Sequence, residues 1–180
     1  MEAFLFSLGI CVIAAALEGA FAGGGIKLRL AEVRAPRYAL PLWGWMIVAV
    51  FYYLICFVVL YRLFNLPASL ALRNVALAVL GGIMFVNALW NYYFFRTRNL
   101  FHAFVLGLPY APATIILFVI LLDLDRTAAW WLLPYILYLP YAAILGYRMW
   151  KLNPPESKHA TTPTAEPQYR LNKHNYRLDK

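Results

Sequence analysis

Five long apolar stretches, separated by shorter polar segments, dominate the pattern of hydrophobic and polar positions along the chain. They cover about residues 3–26, 42–64, 72–95, 100–122 and 128–150. A helix needs about 20 mostly apolar residues to cross a bilayer, so each stretch is long enough. Lipid offers backbone groups no hydrogen-bond partner, which makes helices the expected structure. The pattern predicts an all-α, polytopic membrane protein, a bundle of five transmembrane helices.

The polar segments predict how the spans are joined. Residues 27–41 form the longest connection, a predicted loop with four basic residues and two prolines, whereas residues 65–71, 96–99 and 123–127 are short turns. From residue 154 onward the chain is polar, with almost no apolar pattern, and cannot bury enough surface to fold alone. We therefore predict a five-helix domain over residues 1–153 and a disordered tail over residues 154–180.

Composition supports the membrane assignment and excludes several other classes. Hydrophobic residues make up 63% of the chain and charged residues 13%, against about 25% charged in soluble domains. The cysteines, Cys11 and Cys56, lie in apolar stretches and form neither a disulfide framework nor a metal-ligand spacing. No pairing typical of a catalytic triad and no phosphate-binding loop is present. We expect no catalytic residue, no metal and no bound cofactor.

The basic residues predict the orientation. Cytoplasmic loops are enriched in Lys and Arg, and 13 of the 16 basic residues fall on the side of the first loop, the third loop and the C-terminus. This predicts a cytoplasmic C-terminus and an N-terminus on the opposite side. We expect a bacterial inner membrane, although a mitochondrial outer membrane also fits. The basic residues are too scattered for nucleic-acid binding.

Three motifs resemble the TspO/MBR family of tryptophan-rich sensory and translocator proteins. The fifth stretch has Leu-Pro-Tyr at residues 133–135, then Tyr138, Tyr141-Ala142 and a closing Trp-Lys-Leu-Asn at residues 150–153. The third has Asn87, Trp90 and Phe94-Phe95, and the second begins with Pro41, Trp43 and Trp45, followed by Tyr53. The resemblance covers roughly residues 1–153 and implies the same five helices.

The resemblance implies binding of a flat hydrophobic molecule, such as a porphyrin, another tetrapyrrole or a sterol, for sensing or transport. The expected ligand-binding residues are Trp43, Trp45, Tyr53, Asn87, Trp90, Asn91, Phe94, Tyr135 and Tyr138. The first loop would be a lid whose Arg34 and Arg37 meet ligand carboxylates. Where the family pattern has Trp, Trp and Asn, this chain has Ala49, Tyr138 and Gly146, which argues against the light-dependent porphyrin breakdown of some members. A small transporter and a structural or regulatory subunit remain alternatives.

Several of these residues have competing interpretations. Asn87 and Asn91 lie four residues apart on one helix face, where they could join helices or hold a ligand. Trp43 and Trp45 lie where an interfacial aromatic belt is expected. Glu18, the acid deepest in a span, is expected to be either protonated or paired with a cation, and Arg29, Arg34 and Arg37 of the first loop are the candidate partners.

Two spacings of small residues suggest a homodimer. Gly19 and Gly23 in the first span, and Ala78 and Gly82 in the third, have the separation that lets helices approach closely. Packing within one chain uses the same spacing, so both interpretations stay open.

Overall fold

All five predicted spans are helical in a computed structural model, which describes residues 1–154 of the chain. The helices are α1 (Glu2–Ala22), α2 (Ile26–Glu32), α3 (Leu42–Phe64), α4 (Ala71–Asn91), α5 (Leu100–Gly107), α6 (Tyr110–Leu124) and α7 (Arg126–Leu152). A π-helical turn, Tyr92–Arg96, extends α4, and α5 with α6 forms the fourth span. The predicted all-α fold with five spans is confirmed. The predicted tail lies, apart from Pro154, outside the described residues.

The first span ends earlier than predicted, and the first connection is partly helical. Gly23 adopts a φ of 69°, a left-handed conformation that glycine tolerates best, and its N–H bonds to the carbonyl of Gly19. This ends α1 at Ala22 instead of residue 26. The predicted loop over residues 27–41 contains α2, so that prediction is wrong for its first half.

Proline divides the fourth span but not the fifth. Pro109 lies between α5 and α6, directly before the first residue of α6. The helix is interrupted here because proline has no N–H to continue the helical hydrogen bonds. Pro134 and Pro140 lie inside the uninterrupted α7. In the third span the change to π geometry comes after Asn91, at the end that faces the first connection.

The spans form a ring in the order α1, α3, α7, α6 and α4, and α4 returns to α1. We call the end formed by residues 23–41, the π-helical turn, residues 97–99 and the last turn of α7 the loop end. The half of the bundle away from it is solidly packed. Its fully or nearly fully buried side chains are Val59, Leu63, Ala76, Leu80, Leu117, Leu121, Ala128 and Ala129.

The outside of the bundle is as apolar as its interior. Large hydrophobic side chains such as Ile13, Val50, Phe85 and Leu137 are more than half exposed, which a soluble monomer would not tolerate over so large an area. The α-carbons of three glycines on these helices, Gly19, Gly81 and Gly82, have open space beside them: a Cβ added at any of them would meet no other part of the chain within 4 Å. No other helix of the described part of the chain therefore packs closely against α1 or α4 at these glycines.

An ion pair joins two spans at the end opposite the loop end. Nε of Arg62 donates to Oδ2 of Asp125 at 2.6 Å, and Oδ1 of Asp125 accepts from the N–H of Ala128 at the start of α7. Burial by itself would raise the pKa of Asp125. The bonds from Arg62 and Ala128 outweigh burial and hold this pKa below its ordinary value of 3.8.

We expect Asp125→Asn to lower the stability at pH 7 by about 1 kcal/mol, because Asn keeps the helix cap but loses the ion pair. A depressed folded-state pKa contributes stability above the unfolded pKa, which is lost as the pH falls through the folded pKa. The difference between wild type and variant should therefore be present at pH 5 to 8 and disappear on acidification below 3.8. Thermal unfolding across this range measures it, and a difference that grows with acidification contradicts the assignment.

Candidate functional site

A cavity of about 380 Å³ lies in the half of the bundle toward the loop end. All five spans and α2 contribute to its wall. Its aromatic lining residues are Trp45, Tyr52, Trp90, Phe94, Phe95, Phe104, Tyr110, Tyr135 and Tyr138. A second cavity of about 290 Å³ lies beneath residues 30–42 and shares Leu30, Leu42, Trp45 and Met149 with the first. The bundle is thus hollow at one end and solid at the other.

The end of α4 and the π-helical turn that follows it supply closely packed rings to the aromatic wall. Trp90 and Phe94, four residues apart and so on one helix face, stack with their ring centroids 4.8 Å apart and their planes 15° from parallel. Phe95 stands edge-on to Phe94 at 4.8 Å. Tyr52 and Tyr135, from α3 and α7, meet at 5.3 Å deeper in the cavity. A flat ring would find aromatic faces on several sides.

A polar cluster joins α1, α4 and α6 at the cavity wall. Nδ2 of Asn87 donates to Oε1 of Glu18, and Nδ2 of Asn91 lies 3.5 Å from Oε2 of the same carboxylate. The hydroxyl of Tyr110 donates to Oδ1 of Asn87 at 3.1 Å. Asn91 also donates to the carbonyl of Asn87 at 3.0 Å. Glu18, Asn87, Asn91 and Tyr110 all line the cavity, so the two asparagines join helices and face the cavity at once.

None of the ion pairs among the described residues includes Glu18, so the candidate arginine partners from the first loop do not pair with it. Glu18 instead receives its hydrogen bonds from the two uncharged amides of α4. The hydroxyl of Tyr53 lies near the same carboxylate but beyond strict hydrogen-bond geometry. The register of α1 against α4 decided this pairing, and no spacing within the sequence indicates it.

Most of the sequence-predicted ligand residues come together. Trp45, Asn87, Trp90, Asn91, Phe94, Tyr135 and Tyr138 line the cavity. Trp43 does not, since it is 66% exposed on the outer surface of α3, where an interfacial belt would lie. Tyr53 points to α1 beside Glu18, and its neighbour Tyr52 takes the place in the cavity wall. The aromatic lining residues absent from the predicted set are Tyr52, Phe95, Phe104 and Tyr110, and the sequence alone assigned Glu18 no definite role.

The predicted lid arginines lie outside the cavity. Arg34 and Arg37 are exposed, and Arg34 meets α7 through its backbone, which exchanges two hydrogen bonds of 2.9 Å with the side chain of Asn153. The hydroxyl of Tyr141 also holds this segment by donating to the carbonyl of Tyr38 at 3.1 Å. The first connection therefore covers the loop end, but its exposed guanidinium groups do not reach the cavity wall.

Arg29 is the arginine of the first connection that the fold buries. Its guanidinium donates to the carbonyl of Phe94 at 3.2 Å and to that of Arg98 at 3.0 Å. Burial and the nearby charge of Arg98 lower the pKa of Arg29, while Glu32 raises it. Glu32 also pairs with Arg98 at 3.1 Å. These contacts hold α2 against residues 94–98, which follow α4.

Five spans in this order, with an aromatic cavity at the loop end, agree with the family that the three sequence motifs resemble. The TspO/MBR family model matches residues 7–151, which is most of the chain. The chain belongs to the TspO/MBR family. No curated protein matches it significantly.

The departures from the TspO/MBR pattern lie at the cavity wall. Ala49 and Gly146 stand where the family pattern has Trp and Asn, and both line the cavity. A Cβ on Gly146 would meet Phe104 at 3.6 Å, an ordinary contact, so larger side chains at this position would occupy the cavity itself. The small side chains at these two positions leave open volume in the cavity.

Proposed function

We propose that this TspO/MBR membrane protein binds a flat hydrophobic molecule, of the tetrapyrrole or sterol kind, in the cavity at the loop end. The observation that carries the proposal is the cavity itself. Its volume of about 380 Å³ lies within the usual range for small-molecule sites, which are mostly apolar with a few convergent polar groups. The stacked Trp90 and Phe94 supply an aromatic face, and Glu18, Asn87 and Tyr110 supply polar contacts.

The packed half of the bundle favours a binder over a transporter. Below the cavity, Leu80, Leu117 and Leu121 are at most 1% exposed, so passage through the bundle would require these side chains to separate. A transporter needs two states, one open to each side of the membrane. The cavity that the described residues form lies toward one end of the bundle. Ligand flux into liposomes that exceeds flux into protein-free vesicles would favour transport instead.

The test is saturable binding of an alkyl-substituted porphyrin and of cholesterol to the protein in lipid nanodiscs, with empty nanodiscs subtracted. We expect at least one to bind. Trp90→Ala should weaken that ligand roughly tenfold, because it removes both buried area and a stacking partner. Trp130→Ala is the matched control, since Trp130 is 60% exposed on the outside of α7. If Trp90→Ala and Asn87→Ala both leave the affinity unchanged, the ligand does not bind in this cavity.

We also propose that the loop end faces the cytoplasm and that two copies associate through exposed small residues, Ala78 and Gly82, on α4. The excess of Lys and Arg at the loop end supports the orientation, and the open space beside Gly82 supports the association. The orientation is tested by adding a protease to the outside of inside-out vesicles and, separately, of right-side-out vesicles. The mass of the protein in nanodiscs tests the second.

A further inference from the structure

We propose that the ligand carries a positively charged nitrogen, a protonated amine on a flat apolar ring system, and that this nitrogen binds against the carboxylate of Glu18. This inference rests on the proposed function, because it names the chemical class of the molecule that the cavity takes. The resemblance to the TspO/MBR family suggested the opposite, a ligand whose carboxylates meet arginines of the first loop.

The charge of the cavity wall supports the inference. Of the described residues that line the cavity, Glu18 is the one with an ionisable acidic or basic side chain besides tyrosine. Arg34 and Arg37 are exposed. Arg29 does not line the cavity, and its guanidinium is occupied by the carbonyl groups of Phe94 and Arg98. A ligand carboxylate would therefore enter a mostly apolar cavity that offers a negative group and no cation. Like charges in such surroundings repel strongly.

The hydrogen bonds of Glu18 leave it incompletely compensated. Its two oxygens accept from the amides of Asn87 and Asn91, the second at a long 3.5 Å. A carboxylate offers about four acceptor positions, so further donors can bind. The ion pairs among the described residues join Arg29 and Arg98 to Glu32, and Arg62 to Asp125, but none includes Glu18. Glu18 is partly buried, a carboxylate in such a position is stabilised by a positive partner, and a cationic ligand would supply that counter-charge.

The aromatic wall suits the same ligand class. A cation near the face of an aromatic ring is attracted by the ring quadrupole, most strongly by Trp. Trp90 follows Asn87 by three residues on α4, which is about one helical turn, and its ring lines the same cavity as Glu18. A flat cationic molecule could stack on Trp90 and Phe94 while its nitrogen meets the carboxylate.

The experiment compares three probes built on one acridine ring: an amino-acridine, which is cationic, unsubstituted acridine, and an acridine carboxylate. Binding to the protein in nanodiscs of uncharged lipid is measured at pH 7.5, with empty nanodiscs subtracted. We expect the cationic probe to bind at least tenfold more tightly than the carboxylate. Glu18→Gln should weaken the cationic probe about tenfold or more, since a hydrogen bond to a charged group contributes that much, and should leave acridine within about twofold.

Glu2→Gln is the matched control. It removes the same charge from α1 at an exposed position far from the cavity, so it should change no affinity. Thermal unfolding establishes that both variants fold. If Glu18→Gln is unstable, Trp90→Ala provides a second test, because it should weaken all three probes and the cationic probe most, since that probe also loses the cation–π attraction. Equal affinities for the cationic and anionic probes would overturn the inference while the cavity remains a binding site. If neither the acridines nor the porphyrin and sterol bind, the proposed function itself fails.

Discussion

Replacement of Gly146 by Phe is expected to weaken ligand binding strongly while the bundle stays folded. Gly146 lines the cavity from α7, and the ring of Phe104 is the nearest group to a Cβ placed there. A phenyl group would occupy volume that the ligand needs. Displacing it would cost about 3 kcal/mol, as for an overpacked site, so the affinity should fall roughly 100-fold. Thermal stability should not fall, because glycine is a poor residue inside a helix.

The matched control is Gly9→Phe. Gly9 lies on α1 with open space beside it, so the same substitution adds a ring where no ligand is expected. Its affinity should equal that of the wild type. Wild-type affinity in Gly146→Phe, with the variant folded, would show that the ligand binds elsewhere.

Replacement of Arg29 by Met is expected to release the first connection from the bundle. The variant leaves the carbonyls of Phe94 and Arg98 without their cationic donor and separates α2 from the chain after α4. Arg98 has a φ of 58°, which is unfavourable for a residue other than glycine, and Arg29 is one of the contacts that hold it. Two hydrogen bonds from a charged group contribute about 3 kcal/mol, so the open form should become roughly 100-fold more populated.

Limited trypsin digestion measures this opening, because cleavage within residues 27–41 follows the population of the open form when reclosing is fast. We expect cleavage to accelerate and the ligand to dissociate faster. Arg37→Ala is the control, since it removes a charge from the same segment at an exposed position; the comparison is made at the cleavage sites that both variants retain. Cleavage of Arg29→Met at the wild-type rate would mean that other contacts, such as those of Asn153, hold the connection alone.

The spans themselves were predictable because their physical cause is local. The second span begins at Leu42 and ends at Phe64, as the apolar stretch indicates. The first was predicted four residues too long because its apolar composition continues past Gly23, whereas the left-handed turn there ends the helix. The helix α2 was missed because seven residues with three charges give too short a pattern to distinguish from a loop.

The aromatic wall was partly predictable, and the polar contacts were not. Spacings of three and four residues place Asn87, Trp90 and Asn91 close together on α4, with Phe94 in the turn that extends it, whatever surrounds that helix. In α3, one residue decides whether a side chain faces the cavity, and Tyr52 rather than Tyr53 does so. Asp125 pairs with Arg62 because the bundle brings the ends of α3 and α6 together, which no spacing in the sequence indicates.

By itself the sequence determined that this protein has five helices in a membrane, since long apolar stretches leave a chain no other way to satisfy its backbone in lipid. It also determined, through motifs within single helices, the family to which the chain belongs. Only the tertiary structure decided that a carboxylate from α1 lines the cavity and that the exposed loop arginines stay outside it. Helix rotation and register arise from packing between distant segments, and a shift of one residue turns a side chain by about 100° around its helix.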